Sequence, residues 1–131
     1  EHIKERRAKR KVPLAVGGTL ADYVPFYFAP RSPMLYAINA GNVEGYQGGQ
    51  AAVLHLVSAV KTASTTGHAW CFTDGHADMA MTEFCDDISR MGEFVNAEIM
   101  QGQYWNATAE QPDRSRQRQA VVATRGRWRV D

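Results

Sequence analysis

A chain of 131 residues, 44% hydrophobic and 22% charged with a formal net charge of +1, has the composition of one small globular domain, large enough to bury roughly two-thirds of its unfolded surface. No run nears the roughly 18 apolar residues of a membrane span, and the opening EHIKERRAKRKV is charged throughout instead of leading into an apolar secretory segment. A soluble, cytoplasmic protein without a membrane partner is expected, and Cys71 and Cys85 are expected as reduced thiols, because two cysteines outside a CxxC pair build neither a disulfide framework nor a zinc site.

In chain order, residues 3–10 read as a basic helix, and residues 1–11 carry six Lys/Arg against two Glu. Residues 12–18 read as a Pro/Gly turn, and 22–28 as an aromatic, β-branched strand whose Pro25 must sit where no ladder donor is needed. Ser32 as N-cap and Pro33 at the first helical position open a short helix. Glycines 45, 48 and 49 punctuate a loop. The apolar run AAVLHLVSAV (51–60) is expected as a strand buried in the sheet, with His55 as a hydrogen-bonded core residue. Residues 69–73 offer a second such strand. Met79, Phe84, Ile88 and Met91 recur at roughly helical spacing over 78–91, and a weaker helical pattern runs over 94–100. Residues 114–131 hold six Arg against one Asp, leaving three Lys/Arg against eleven Asp/Glu between the two basic ends. Concentrated terminal cations suit a polyanionic partner; the competing reading is a solvated helix face or tail. Short strands interrupted by irregularly placed helices indicate an α+β fold, with a mixed sheet and peripheral helices.

The sequence lacks G-x-G-x-x-G after a strand, G-x-x-x-x-G-K-[ST], G-x-S-x-G and H-E-x-x-H. A Rossmann site, a P-loop, serine hydrolysis and a histidine-built metal centre are therefore without support. The most unusual stretch is YVPFYFAPRSPMLY (23–36), with five aromatics, three prolines and Arg31. Three fixed φ angles make it a stiff wall that suits a flat aromatic ligand; the alternative is a proline-rich edge strand with ordinary core aromatics. His76, in FTDGH after a strand, stands where loop residues reach a site, or is a structural histidine.

HIKERR (2–7), GGTLADYVPFYFAPRSPMLYAI (17–38), GNVEGYQGGQ (41–50), LHLVSA (54–59), FTDGHA (72–77), YWN (104–106) and RQRQA (116–120) together resemble the DarT family of DNA ADP-ribosyltransferases. The resemblance implies a fold similar to that of the poly-ADP-ribose polymerases and transfer of ADP-ribose from NAD, with no metal, to thymine bases of single-stranded DNA. It also implies a toxin reversed by a macrodomain antitoxin, DarG. Carried over by residue, it makes Arg7 the catalytic arginine, with Arg6 as the alternative, and sets Tyr27 and Met34 along the nicotinamide and base pockets. His76 and Arg31 fall on the DNA side with Arg6 and Arg10, Arg31 as a contact to substrate phosphate.

Two departures bear on activity. After Gln-Ala the family pattern continues with a catalytic glutamate and an apolar strand, whereas here Gln119-Ala120 is followed by Val121. The resemblance also implies an NAD-binding histidine on a strand before the HIKERR motif, at which this chain begins. The expectation is a truncated transferase core over 1–120 and a divergent, Arg-rich tail over 121–131, strandless over 124–129, as in a frameshifted or degenerate gene or a chimeric fragment. An inactive enzyme is expected, and Val121→Glu alone is not expected to rescue it. The alternatives are a non-catalytic remnant that binds single-stranded DNA and a decoy that occupies the antitoxin.

Overall fold

The computed structural model describes residues 3–42, 48–49 and 51–126. Gly45 of the glycine-rich loop and tail residues 127–131 lie outside the described residues. The sequence IKERRAK forms helix α1 (Ile3–Lys9), with Arg6, Arg7 and Lys9 in its last turn, where cations complement the helix dipole. Seven residues cannot hold a helix alone. The chain beyond α1 is anchored by Val12 N–H donating to Gly18 O (2.9 Å), Leu20 N–H donating to Arg10 O (2.9 Å) and a Lys11–Thr19 bridge. Gly18 makes this return possible: its φ is +79°, and an added Cβ would stand 2.8 Å from Asp22 Oδ2.

Four strands follow, β1 (Tyr23–Tyr27), β2 (Trp70–Thr73), β3 (Phe84–Cys85) and β4 (Val121–Arg125), in the order β1-β4-β2-β3. The α+β class is thus observed, but each pairing is antiparallel, in place of the mixed sheet expected. Pro25 lies on edge strand β1 opposite Ala123, where a missing N–H is tolerated. Helix α2 (Pro33–Asn39) starts as its sequence predicts, with Ser32 Oγ accepting from Leu35 N–H at 3.1 Å.

The apolar run expected as a strand buried in the sheet does not form one. Residues 53–59 form no strand, Leu54 and Val57 are 87% and 92% exposed, and His55 is exposed as well, so it is no core residue. The central slot between β1 and β2 belongs instead to Val121–Arg125. Thr124 and Arg125 are therefore part of a strand, and the boundary drawn after residue 120 falls inside the folded unit. An apolar run does not become a buried strand without a neighbour to complete its hydrogen bonds. Residues 78–91 are likewise no helix; turns lead into β3, where Phe84 is buried, and only a 3-10 turn over Ile88–Arg90 precedes the four-residue helix α4 (Met91–Phe94).

Strand alternation divides the core by sheet face. Tyr23, Cys71, Val121 and Ala123 pack with Val12, Leu20, Ala77 and Phe84, and Tyr27 borders this cluster. Phe72, Cys85 and Val122 face the other way, toward helix α3 (Val60–Thr65) and toward Met91 and Phe94 of α4. Helices α5 (Ala97–Gln101) and α6 (Arg114–Arg118) complete the described elements, Met100 of α5 packing against Ala29 and Ala120. Among the described residues no helix is long and apolar enough to cross a membrane.

Candidate active site

Helix α1 delivers Arg7 to the start of β1. Its Nη2 donates to Leu20 O at 2.7 Å and to Tyr23 O at 3.3 Å, so one edge of the guanidinium is pinned to two backbone carbonyls. Burial pulls Arg7 below the ordinary arginine value, against the opposing influence of Tyr27 and Asp78. Tyr27 sits at the far end of β1; burial raises its phenol, and the Arg7 charge offsets part of that rise. Arg7 and Tyr27 are therefore within electrostatic reach of each other in a partly desolvated place.

Directly across the sheet from Tyr27 stands Val121. Residues paired in register project to the same face, and both belong to the cluster on the α1 side. Val121 is 5% exposed, and its N–H donates to Thr73 Oγ1 at 3.1 Å. The position at which the family resemblance implies a glutamate thus faces Tyr27 and carries an isopropyl group.

His76 enters from the turn after β2. Its Nδ1 accepts the Asp78 N–H at 3.2 Å, which leaves Nε2 as the protonated nitrogen of a neutral ring. Burial lowers the imidazole pKa, Asp78 opposes this, and Arg6 and Arg7 add to it. Asp78 also pairs with Arg6 through Oδ2 and Nε at 3.1 Å. Arg6, Arg7, Tyr27, His76 and Asp78 accordingly make one electrostatic group. Arg10 rests its guanidinium 5.6 Å from the Phe84 ring centre, and its buried Nε has no hydrogen-bond partner among the described residues. Met34, on α2, is 51% exposed, and the described contacts do not bring it to this group. Arg31 lies in the loop after β1, with an exposed side chain and a carbonyl that accepts from Arg118 Nε and Nη2 at 3.1 and 3.0 Å.

Three residues that sequence reasoning passed over organise these parts. Asp78, two residues beyond His76, links the His76 turn to α1. Arg116 holds the turn from behind: Nη1 donates to Asp74 Oδ1 and Thr82 Oγ1, both at 3.0 Å, while Nε and Nη2 grip Asp113 at 2.7 and 2.5 Å. The Arg116 carbonyl accepts the His76 N–H at 2.9 Å, and Thr82 Oγ1 donates to His76 O at 2.6 Å. Gly75 lets the arginine lie this close, since an added Cβ would stand 2.9 Å from Arg116 Cζ. Arg118 is 1% exposed and ties Arg31, Ile99 and Gly102 together through their carbonyls. The one available signal was the alternation of Arg114, Arg116 and Arg118, which sends neighbouring cations to different surroundings on a helix of five residues.

A DNA ADP-ribosyl transferase of Thermus sp. (strain 2.9) is 44% identical over 119 residues, which are 91% of this chain and 54% of the relative. A solved structure of Thermus sp. 2.9 DarT in complex with ADP-ribosylated ssDNA superposes with a TM-score of 0.85 at 42% identity, over 95% of this chain and 57% of that one. Another, of the same protein in complex with NAD+, gives 0.80 at 39% identity over 92% and 58%. The chain spans about half the length of these relatives. Its residues 1–122 match the model of the family described as ssDNA thymidine ADP-ribosyltransferase, DarT, and the chain belongs to that family.

Proposed function

We propose that the chain carries part of the transferase site of a DNA ADP-ribosyltransferase that takes NAD as co-substrate and thymine bases of single-stranded DNA as acceptors. Arg7 is the cation at the reacting centre, Tyr27 and Met34 border the NAD pockets, and His76, Arg31, Arg6 and Arg10 lie toward the DNA. The observation that carries this reading is the group formed by Arg7, Tyr27, His76 and Asp78, with Val121 paired directly across the sheet from Tyr27. A guanidinium fixed by two carbonyls meets charge at a constant position, and partial desolvation strengthens what it does there. In the reaction the bond from ribose C1′ to nicotinamide breaks with its electron pair leaving on nicotinamide, and a thymine nitrogen bonds C1′ and releases its proton to solvent. Arg7 steadies the negative charge that builds on the base.

The positive charge that builds on the ribose calls for a carboxylate, and Val121 has neither an acceptor nor a charge. Loss of such a group costs at least roughly a hundredfold in rate. The chain as it stands therefore binds its substrates without transferring ADP-ribose. Val121 is also the observation that favours a second reading, a DNA-binding remnant or a decoy for the antitoxin. A cytoplasmic setting and a macrodomain partner, DarG, belong to the same proposal. The test is titration of the chain with NAD and with a thymine-containing oligonucleotide. Binding of both, with NAD affinity reduced in Arg7→Gln, is expected; oligonucleotide binding without any NAD binding favours the remnant, and binding of neither refutes both readings.

A further inference from the structure

Beyond the sheet ends that carry Tyr27 and Val121 lies a hollow of about 330 Å³ lined by Pro30, Arg31, Gln101, Gly102, Gln103 and Arg118. No carboxylate is among these residues. Arg118 at its base is buried to 1% exposure, yet the bonds described for it all end on neutral carbonyls: Nε and Nη2 on Arg31 O, Nη1 on Ile99 O at 2.5 Å and on Gly102 O at 2.8 Å. It has no ion pair among the described residues. The charge acting on it is of its own sign, since Arg31 adds to burial in lowering its pKa. A buried cation without a counter-charge is costly to keep, and a second arginine beside it raises that cost. A bound anion removes both penalties at once.

We propose that the hollow between Arg31 and Arg118 is a phosphate-binding subsite. On the reading given above, the phosphate it takes belongs to the DNA strand. Three features favour that source. The hollow is built from the segments that leave and enter the sheet at the paired ends Tyr27 and Val121, Arg31 following Tyr27 by four residues and Arg118 preceding Val121 by three. The Arg118 guanidinium stacks 5.0 Å from the Trp105 ring centre, and Tyr36 meets Trp105 edge-on at 6.3 Å. Tyr36 and Tyr104 are 65% and 70% exposed, so aromatic rings flank the cations, the arrangement by which proteins track a single strand. Four of the five Arg118 N–H groups hold carbonyls, and the exposed Arg31, Gln101 and Gln103 provide the movable donors.

The test compares the chain with Arg31→Gln, a surface change that leaves the Arg31 carbonyl and hence the Arg118 hydrogen bonds in place. Three probes are used: inorganic phosphate, NAD, and a thymine-containing single strand of about eight nucleotides. Phosphate is expected to shift the amide resonances of residues 101–103 and the Trp105 indole in the parent chain and not in Arg31→Gln. Strand binding is expected to weaken by roughly tenfold at low salt, with the slope of log affinity against log salt falling by roughly one, while NAD affinity is unchanged. Affinities for the strand and for NAD that are both unaltered in Arg31→Gln, or phosphate shifts confined to other residues, overturn the subsite. Weakening of NAD alone keeps the subsite and assigns its phosphate to the dinucleotide. Phosphate shifts at 101–105 with no strand binding keep the subsite and overturn the proposed DNA acceptor.

Discussion

Replacing Arg116 by Met removes the guanidinium behind the His76 turn while filling much of its volume. Bonds to Asp113 at 2.7 and 2.5 Å and to Asp74 and Thr82 at 3.0 Å disappear together. Breaking a buried ion pair by deleting one partner costs about 3–5 kcal/mol. Here the Asp74 and Asp113 side chains keep 26% and 42% of their exposure, so water recovers part of the loss, and about 2 kcal/mol remains. For a chain of 131 residues that lowers the melting temperature by about 6–10 °C. The pH dependence has a definite sign. The hydrogen bond from Arg116 holds the Asp113 carboxyl below its ordinary value, burial opposing it. A carboxylate whose pKa is depressed by folding contributes stability that is present above its unfolded value and is lost as pH falls through its folded one. The gap between parent and Arg116→Met is therefore full at pH 7 and closes below about pH 4. Thermal unfolding followed by circular dichroism at both pH values measures it. A drop of less than about 2 °C at pH 7, or a drop at about pH 3 as large as at pH 7, rules out this role for Arg116.

His76 is expected to titrate below 6.5 in the folded chain, since burial first, and then Arg6 and Arg7, disfavour its cation. Its contribution to stability is present above the unfolded value and fades as pH falls through the folded one. An NMR titration that places His76 above 6.5 contradicts this, as does an Asp78 amide indifferent to the transition. Burial pushes the Cys71 thiol up to about 12, so iodoacetamide at about pH 8 should alkylate Cys71 only as the chain unfolds; prompt labelling of the native chain argues against it. Leu54→Ser and Val57→Ser, at 87% and 92% exposure, should each change stability by less than about 0.5 kcal/mol in denaturant melts. Losses above about 2 kcal/mol return 51–60 to the core.

Local chemistry made part of this molecule legible. Ser32 and Pro33 announce the start of α2, and Pro25 announces an edge strand, because caps and prolines act on the residues beside them. What the local pattern left open is which strand finds a partner. Residues 51–60 have the apolar content of a central strand, yet Val121–Arg125 holds that slot, pairing with Tyr23–Tyr27 and Trp70–Cys71–Phe72 across large stretches of chain. The arginine content of 124–129 obscured the strand in the same way, since Arg125 lies at its exposed end and only Val121 through Thr124 are buried. In the candidate site the family resemblance led to Arg7, Tyr27 and His76. Asp74 and Arg116 are separated by 42 positions and Arg31 and Arg118 by 87, and nothing local in a sequence reports a bond of that span.

Native mass spectrometry of the chain with NAD and a thymine-containing single strand separates binding from transfer. The expected complexes contain the chain and the strand, with the strand unmodified, because on the proposed reading Val121 stands where the transfer calls for a carboxylate. A strand that gains the mass of ADP-ribose, or a chain that forms no complex with the strand, contradicts it.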